Sequence, residues 1–179
     1  MNSLDNSSFR GLGDKIFLVG FMGSGKTHWG RIWAKHSALD FFDLDEAIAV
    51  QEKKSIEAIF DEDGEALFRE KESRLLRTFG EKENCIIACG GGTACFHDNM
   101  SWMNAHGTTV YLKTTASQIM ERVETEKHTR PLIKKLNKAE ILFFIEQKLK
   151  EREPYYQQAR IILSVGELNA DSLKGIANS

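Results

Sequence analysis

The segment Gly20-Phe21-Met22-Gly23-Ser24-Gly25-Lys26-Thr27 has the form G-x-x-x-x-G-K-[ST] of a phosphate-binding loop. Its flanks meet the structural demand of that motif. Asp14-Lys15-Ile16-Phe17-Leu18-Val19 reads as a short buried parallel strand, and Lys26 to His36 reads as the helix that follows. Between them, Gly20, Gly23 and Gly25 let the backbone curl so that successive N–H groups face an anion at the positive end of the helix. Lys26 adds a mobile cation for the β- and γ-phosphates, and the Thr27 hydroxyl suits Mg2+.

The rest of the chain continues the alternation of strand and helix. Asp40 to Asp43 reads as a second strand, Asn84 to Cys89 as a third, Thr108 to Leu112 as a fourth and Arg160 to Ser164 as a fifth. Helical patterns cover Ser55 to Gly80, with a break at Asp61-Glu62-Asp63-Gly64, then Met100 to Ala105 and Ser117 to Glu124. A long amphipathic helix is expected over Asn137 to Ala159, with Ile141, Leu142, Phe144, Ile145 and Leu149 on its apolar side, and a last one over Ala170 to Ala177. This order predicts an α/β fold, a doubly wound five-stranded parallel sheet with helices on both faces. It forms one domain over 14–179, preceded by a flexible lead-in at 1–13 that is rich in Asn, Ser and Gly. The charge-dense stretch around Thr129-Arg130-Pro131 reads as a mobile lid over about 124–137.

Charge and cysteine content exclude several classes. Lys and Arg total 24 against 26 Asp and Glu, a net charge of −2, so neither a nucleic-acid partner nor a membrane surface is expected. No apolar run has the length of a membrane span and no signal-peptide core is present, which makes the cytoplasm the expected location. Cys85, Cys89 and Cys95 are odd in number and match no disulfide framework. Cys85 and Cys89 read as small buried strand residues, and a zinc site combining them with His97 fits no tetrahedral spacing.

Three further stretches carry chemistry. Asp43 and Asp45 end the second strand, where open α/β sheets bind ligands, and on extended backbone they would point apart and hold different tasks. Capping of the next helix is the alternative. Arg69 stands three residues before Glu72, a pair that is either surface decoration or the brace of an arginine that reaches an anion. Gly90-Gly91-Gly92 closes the third strand, and three glycines imply either a flexible turn or a ligand lying against bare backbone. No Asn-Lys-x-Asp element of guanine recognition occurs. A small phosphate-loop domain with a lid arginine is suited to phosphorylating a small molecule, since lid closure keeps water from competing as acceptor.

These residues together resemble the shikimate kinase family, within the nucleoside-monophosphate-kinase-like phosphate-loop proteins. The likeness rests on Gly20 to Thr27, Phe42-Asp43-Leu44-Asp45, Ile59-Phe60 with Gly64 to Glu72, Gly90-Gly91-Gly92-Thr93, Arg130-Pro131-Leu132, and Arg152 with Pro154-Tyr155. It implies ATP-dependent phosphorylation of the 3-hydroxyl of shikimate, a step of aromatic amino-acid (chorismate) biosynthesis, by a monomer whose acceptor region covers about 43–80. It also implies that Gly23, Ser24, Gly25, Lys26, Thr27 and His28 bind ATP, with Arg130 from the lid and Arg122 at the adenine. Thr27 and Asp43 would hold Mg2+. Asp45 would engage the acceptor hydroxyl, Arg69 and Arg152 the acceptor carboxylate, and Gly90, Gly91 and Gly92 the same substrate. Lys26, Asp45 and Arg130 would be catalytic. His28 and the bulky Trp29 depart from the usual helix, and Ile133 replaces a usual leucine. Another small-metabolite kinase of this fold, acting on gluconate or a nucleoside monophosphate, and a non-catalytic nucleotide-binding regulator are the competing readings.

Overall fold

In the computed structural model, the described residues are 14–125 and 136–173. The lead-in at 1–13, Arg130 with residues 126–135 of the expected lid, and the end of the last helix lie outside them. The elements follow in the order β1 (Lys15–Val19), α1 (Lys26–Ser37), β2 (Asp40–Asp43), α2 (Leu44–Glu52), α3 (Ile56–Thr78), β3 (Cys85–Ala88) and α4 (Asn99–His106). They continue with β4 (Thr108–Lys113), α5 (Ala116–Thr125), α6 (Lys138–Tyr156) and β5 (Ile161–Ser164). Ser172 and Leu173 begin the expected last helix.

The five strands form one parallel sheet in the order β2-β3-β1-β4-β5. Every residue of β1 and β3 is buried, as expected for strands covered on both faces. Alternation along β1 separates the two cores. Phe17 and Val19 join Ile87, Tyr111 and residues of α2 to α6 on one face, while Ile16 and Leu18 join Ile86, Val110, Trp33 and Ala34 of α1 on the other. Helices therefore cover both faces, as the sequence predicts.

Two elements refine the sequence reading. The break expected at Asp61 to Gly64 is a kink at Gly64 alone, with φ 76° and ψ 169°, a conformation available to glycine. In α6 the buried positions are Ile141, Ile145, Arg152 and Tyr156, so the inward stripe carries an arginine and a tyrosine. Leu142, expected on the apolar side, is exposed beside Phe143, because the stripe follows 141, 145, 152 and 156 rather than every apolar residue. Among the described residues no helix is long and apolar enough to cross a membrane.

Candidate active site

Three strands deliver their carboxyl ends to one place. β1 runs into the phosphate loop, β2 into Asp43, and β3 into Gly90-Gly91-Gly92. The parallel register that pairs Asp43 with Ala88 and Leu18 with Ala88 brings these ends level, at the crevice where open α/β sheets bind ligands. A cavity of about 590 Å³ opens there, lined among others by Gly23, Gly25, Lys26, Thr27, His28, Asp43, Asp45, Gly90, Gly91 and Arg122.

The loop is held by its own cation. The buried Lys26 Nζ donates to the carbonyls of Gly20 at 2.8 Å and Phe21 at 2.9 Å. Gly25 precedes the first turn of α1 with φ 89°, in the left-handed region that glycine favours, and Ser24 is buried beneath it. The Arg122 guanidinium reaches across from α5 and donates to the Gly23 carbonyl at 3.0 Å.

Asp43 does two jobs at once. Its Oδ1 accepts from the N–H groups of Asp45 at 3.0 Å and Glu46 at 3.3 Å, which caps α2, while its Oδ2 accepts from Thr27 Oγ1 at 2.7 Å. Asp43 thus caps α2 and borders the cavity at once, earlier in the chain than the Asp ahead of Glu46 that the sequence offers as a helix start. The cap also alters the geometry expected for Asp45. It lies in the first turn of α2 and not on extended backbone, because the Asp43 side chain draws the chain into helix one residue earlier. A hydroxyl and a carboxylate in contact are hard oxygen donors of the kind that suits Mg2+.

Asp45 keeps some surface open to the cavity, yet its carboxyl sits deep among protein atoms. That burial, reinforced by the charges of Glu72 and Asp43 and opposed by Lys26 and Arg69, pushes its pKa up to about 6.

Behind it stands a buried polar network. Arg69 Nη1 donates to Glu72 Oε2 at 2.8 Å, Arg69 Nη2 donates to Glu65 Oε1 at 3.0 Å, and Thr93 Oγ1 donates to Glu72 Oε1 at 2.6 Å. Burial opposes the Arg69 charge, but the carboxylates of Glu72 and Glu65 outweigh it and raise its pKa. The Phe60, Phe68 and Phe96 rings surround the guanidinium at 5.8, 5.1 and 4.8 Å from its carbon. Arg69 is therefore the braced arginine, not surface decoration.

The glycine run is explained by what crowds it. A Cβ on Gly90 would stand 2.7 Å from Glu72 Oε1 and 2.8 Å from Asp45 Oδ1, and one on Gly92 would stand 2.6 Å from Arg69 Cζ. One on Gly91 would meet the Met22 backbone nitrogen at 3.0 Å, so this turn packs against the phosphate loop. The Gly91 carbonyl accepts from Arg152 Nη1 at 3.1 Å and from the buried Tyr156 hydroxyl.

Most of the expected residues thus converge. Gly23, Gly25, Lys26, Thr27, His28, Asp43, Asp45, Gly90, Gly91 and Arg122 line the cavity, while Ser24, Arg69, Gly92 and Arg152 are buried next to these residues. Arg130 lies outside the described residues. The sequence reading did not single out Thr93 as the partner of Glu72, Tyr156 as the partner of Gly91, or Trp29 and Val165 as cavity lining. The only sequence signal for Tyr156 was its place one helical turn beyond Arg152.

The family model described as "Shikimate kinase" matches residues 22–176. A shikimate kinase of Parabacteroides distasonis is 43% identical over 158 residues, 88% of this chain and 91% of that protein. The crystal structure of shikimate kinase from Bacteroides thetaiotaomicron superposes with a TM-score of 0.85 at 38% identity, covering 91% of this chain and 95% of that one. Shikimate kinase from Acinetobacter baumannii, solved in complex with shikimate, gives 0.79 at 30% identity, with 97% and 93% covered.

Proposed function

The chain belongs to the shikimate kinase family, and from that membership and the geometry of its cavity we propose that it transfers the γ-phosphoryl group of ATP to the 3-hydroxyl of shikimate. The product is shikimate 3-phosphate, on the route to chorismate and the aromatic amino acids. The observation that carries this reading is Asp45, a cavity carboxylate with its pKa near 6, set between the Lys26 loop and the braced Arg69. Nucleotide binding alone needs no such group on the far side of the phosphates.

The residues divide the work. The N–H groups of Gly23, Ser24 and Gly25 hold the phosphates, and Lys26 turns its ammonium from the loop carbonyls toward the charge that develops on the transferring group. Thr27 and Asp43 hold Mg2+, which neutralises phosphate charge when bound. Asp45 accepts a hydrogen bond from the attacking hydroxyl, orients it in line and, ionised at neutral pH, takes its proton.

Arg69 and Arg152 receive the acceptor carboxylate, a planar anion that matches the guanidinium fork. Gly90, Gly91 and Gly92 give the acceptor a close backbone surface. On the donor side, His28 and Arg122 flank the nucleotide, and Arg130 reaches the phosphates when the lid over about 124–137 closes and excludes water. The enzyme works as a cytoplasmic monomer on small molecules, with one kinase domain over 14–179. Neither nucleic acid nor membrane is a partner.

ADP release from MgATP tests the acceptor. Release stimulated by shikimate, and not by gluconate or nucleoside monophosphates, is expected. Stimulation by another acceptor alone would move the assignment within the fold, and ATP binding without any acceptor-dependent ADP would make the chain a regulator.

A further inference from the structure

Asp45, Gly90 and Gly91, read above as acceptor residues, share the cavity with Trp29, Arg122 and Val165, which that reading leaves to the donor. Among the described residues that line the cavity, Trp29 carries the one large aromatic ring, and it packs against its neighbours. One face stacks on Trp33 with centroids 5.6 Å apart and planes 26° apart. Trp33 is fully buried and is itself pinned by its Nε1, which donates to the Asn169 carbonyl at 2.8 Å. His28 closes one edge of Trp29 in a T-shaped contact at 5.3 Å, yet Trp29 stays only half-buried because its remaining surface belongs to the cavity.

Gly25 shows how close this ring comes to the phosphate loop. A Cβ there would lie 3.3 Å from Trp29 Cδ1 and 3.5 Å from Arg122 Nη1, so the indole and the guanidinium border one notch beside the loop. An indole and a guanidinium that line one cavity side by side suit a flat π-system, which packs on the first and takes a cation–π contact from the second.

We propose that Trp29, backed by Trp33 and set beside Arg122, is a binding residue for the nucleoside of the phosphoryl donor. The proposal rests on the phosphoryl-transfer reading above and adds to it a contact that the motif does not supply. The phosphates are held by the loop and the nucleoside by the indole, so the two parts of the donor are separable.

The test uses titration calorimetry with two probes, MgADP and inorganic tripolyphosphate, on the parent chain, Trp29→Leu and Trp29→Phe. Trp29→Leu should weaken ADP by about tenfold, the scale of one base stacked on an aromatic ring, and leave tripolyphosphate within about twofold. Trp29→Phe, which keeps a ring, should retain most of the ADP affinity while removing part of the tryptophan fluorescence change that ADP causes. Equal weakening of both probes would mean that Trp29 only supports the loop, and unchanged ADP affinity would mean that it only packs on Trp33. Either result overturns the proposal. Should Trp29→Leu fail to fold, an ADP-induced fluorescence change undiminished in Trp29→Phe overturns it as well. ADP binding requires no acceptor, so a parent chain that binds ADP but ignores shikimate overturns the acceptor assignment alone. A parent chain that does not bind ADP overturns both.

Discussion

Arg69 and Glu72 form an ion pair on adjacent turns of α3, Nη1 to Oε2 at 2.8 Å, with 6% and 0% of their side chains exposed. A carboxylate so enclosed is tolerable only because Arg69 and Thr93 satisfy both of its oxygens. The pair therefore fixes where the guanidinium can point, and it also charges the neighbourhood of Asp45.

Glu72→Ala should destabilise the chain by about 3 kcal/mol, because it leaves Arg69 buried with only the half-exposed Glu65 as partner. Urea denaturation measures this. A change below about 0.5 kcal/mol, the size of an ordinary surface substitution, would contradict a buried and mutually dependent pair.

Gly92→Ala should act through Arg69. Its backbone φ of −103° suits any residue, so only space is at issue, and the added carbon would stand 2.6 Å from Arg69 Cζ. The KM for shikimate should rise about tenfold or more while the KM for ATP stays within about twofold, since displacing a positioning group by an ångström is enough for such losses. Equal rises in both would show that the turn serves the fold and not the acceptor.

Lys26→Ala should lower kcat by about a hundredfold or more with the far-UV spectrum unchanged, because a preorganised charge in the transfer site is lost. Activity within about threefold of the parent would remove Lys26 from the mechanism.

Asp45→Asn should change how stability depends on pH in metal-free buffer. With the native pKa raised from 3.8 to about 6, the folded chain keeps a proton between those values that the unfolded chain has lost. Parent stability therefore falls as pH rises through that window, and the deficit is complete above about 6. The variant lacks the titration, so it should match the parent near the lower value and exceed it by about 2 kcal/mol above the upper one, allowing for screening by cavity water. A difference constant with pH would contradict the raised pKa.

How much of this was legible in the sequence depended on the range of the interaction. The phosphate loop, the strands and the Gly64 kink are set by neighbouring residues, and they stand where the sequence places them, with boundaries shifted by a residue or so. A helix start near Asp43 and Asp45 was legible, but that Asp43 makes the cap and draws Asp45 into the helix required the observed hydrogen bonds. Spacing could not tell whether the Arg69–Glu72 pair lies on the surface, because the answer comes from Thr93, 21 residues further on. Likewise the three glycines announced a close approach without saying to what. Their neighbours proved to be the side chains of Glu72, Asp45 and Arg69 and the backbone of Met22. Tyr156 reaches Gly91 across 65 residues, and no local pattern encodes that contact.

Phosphorus and proton NMR of the products formed from MgATP and shikimate test the central assignment most directly. One new phosphomonoester on the oxygen of carbon 3 is expected, formed in equal amount with ADP by the parent chain and greatly diminished in Asp45→Asn. ADP accompanied by inorganic phosphate in place of the ester, or an ester yield unaffected by Asp45→Asn, would contradict it.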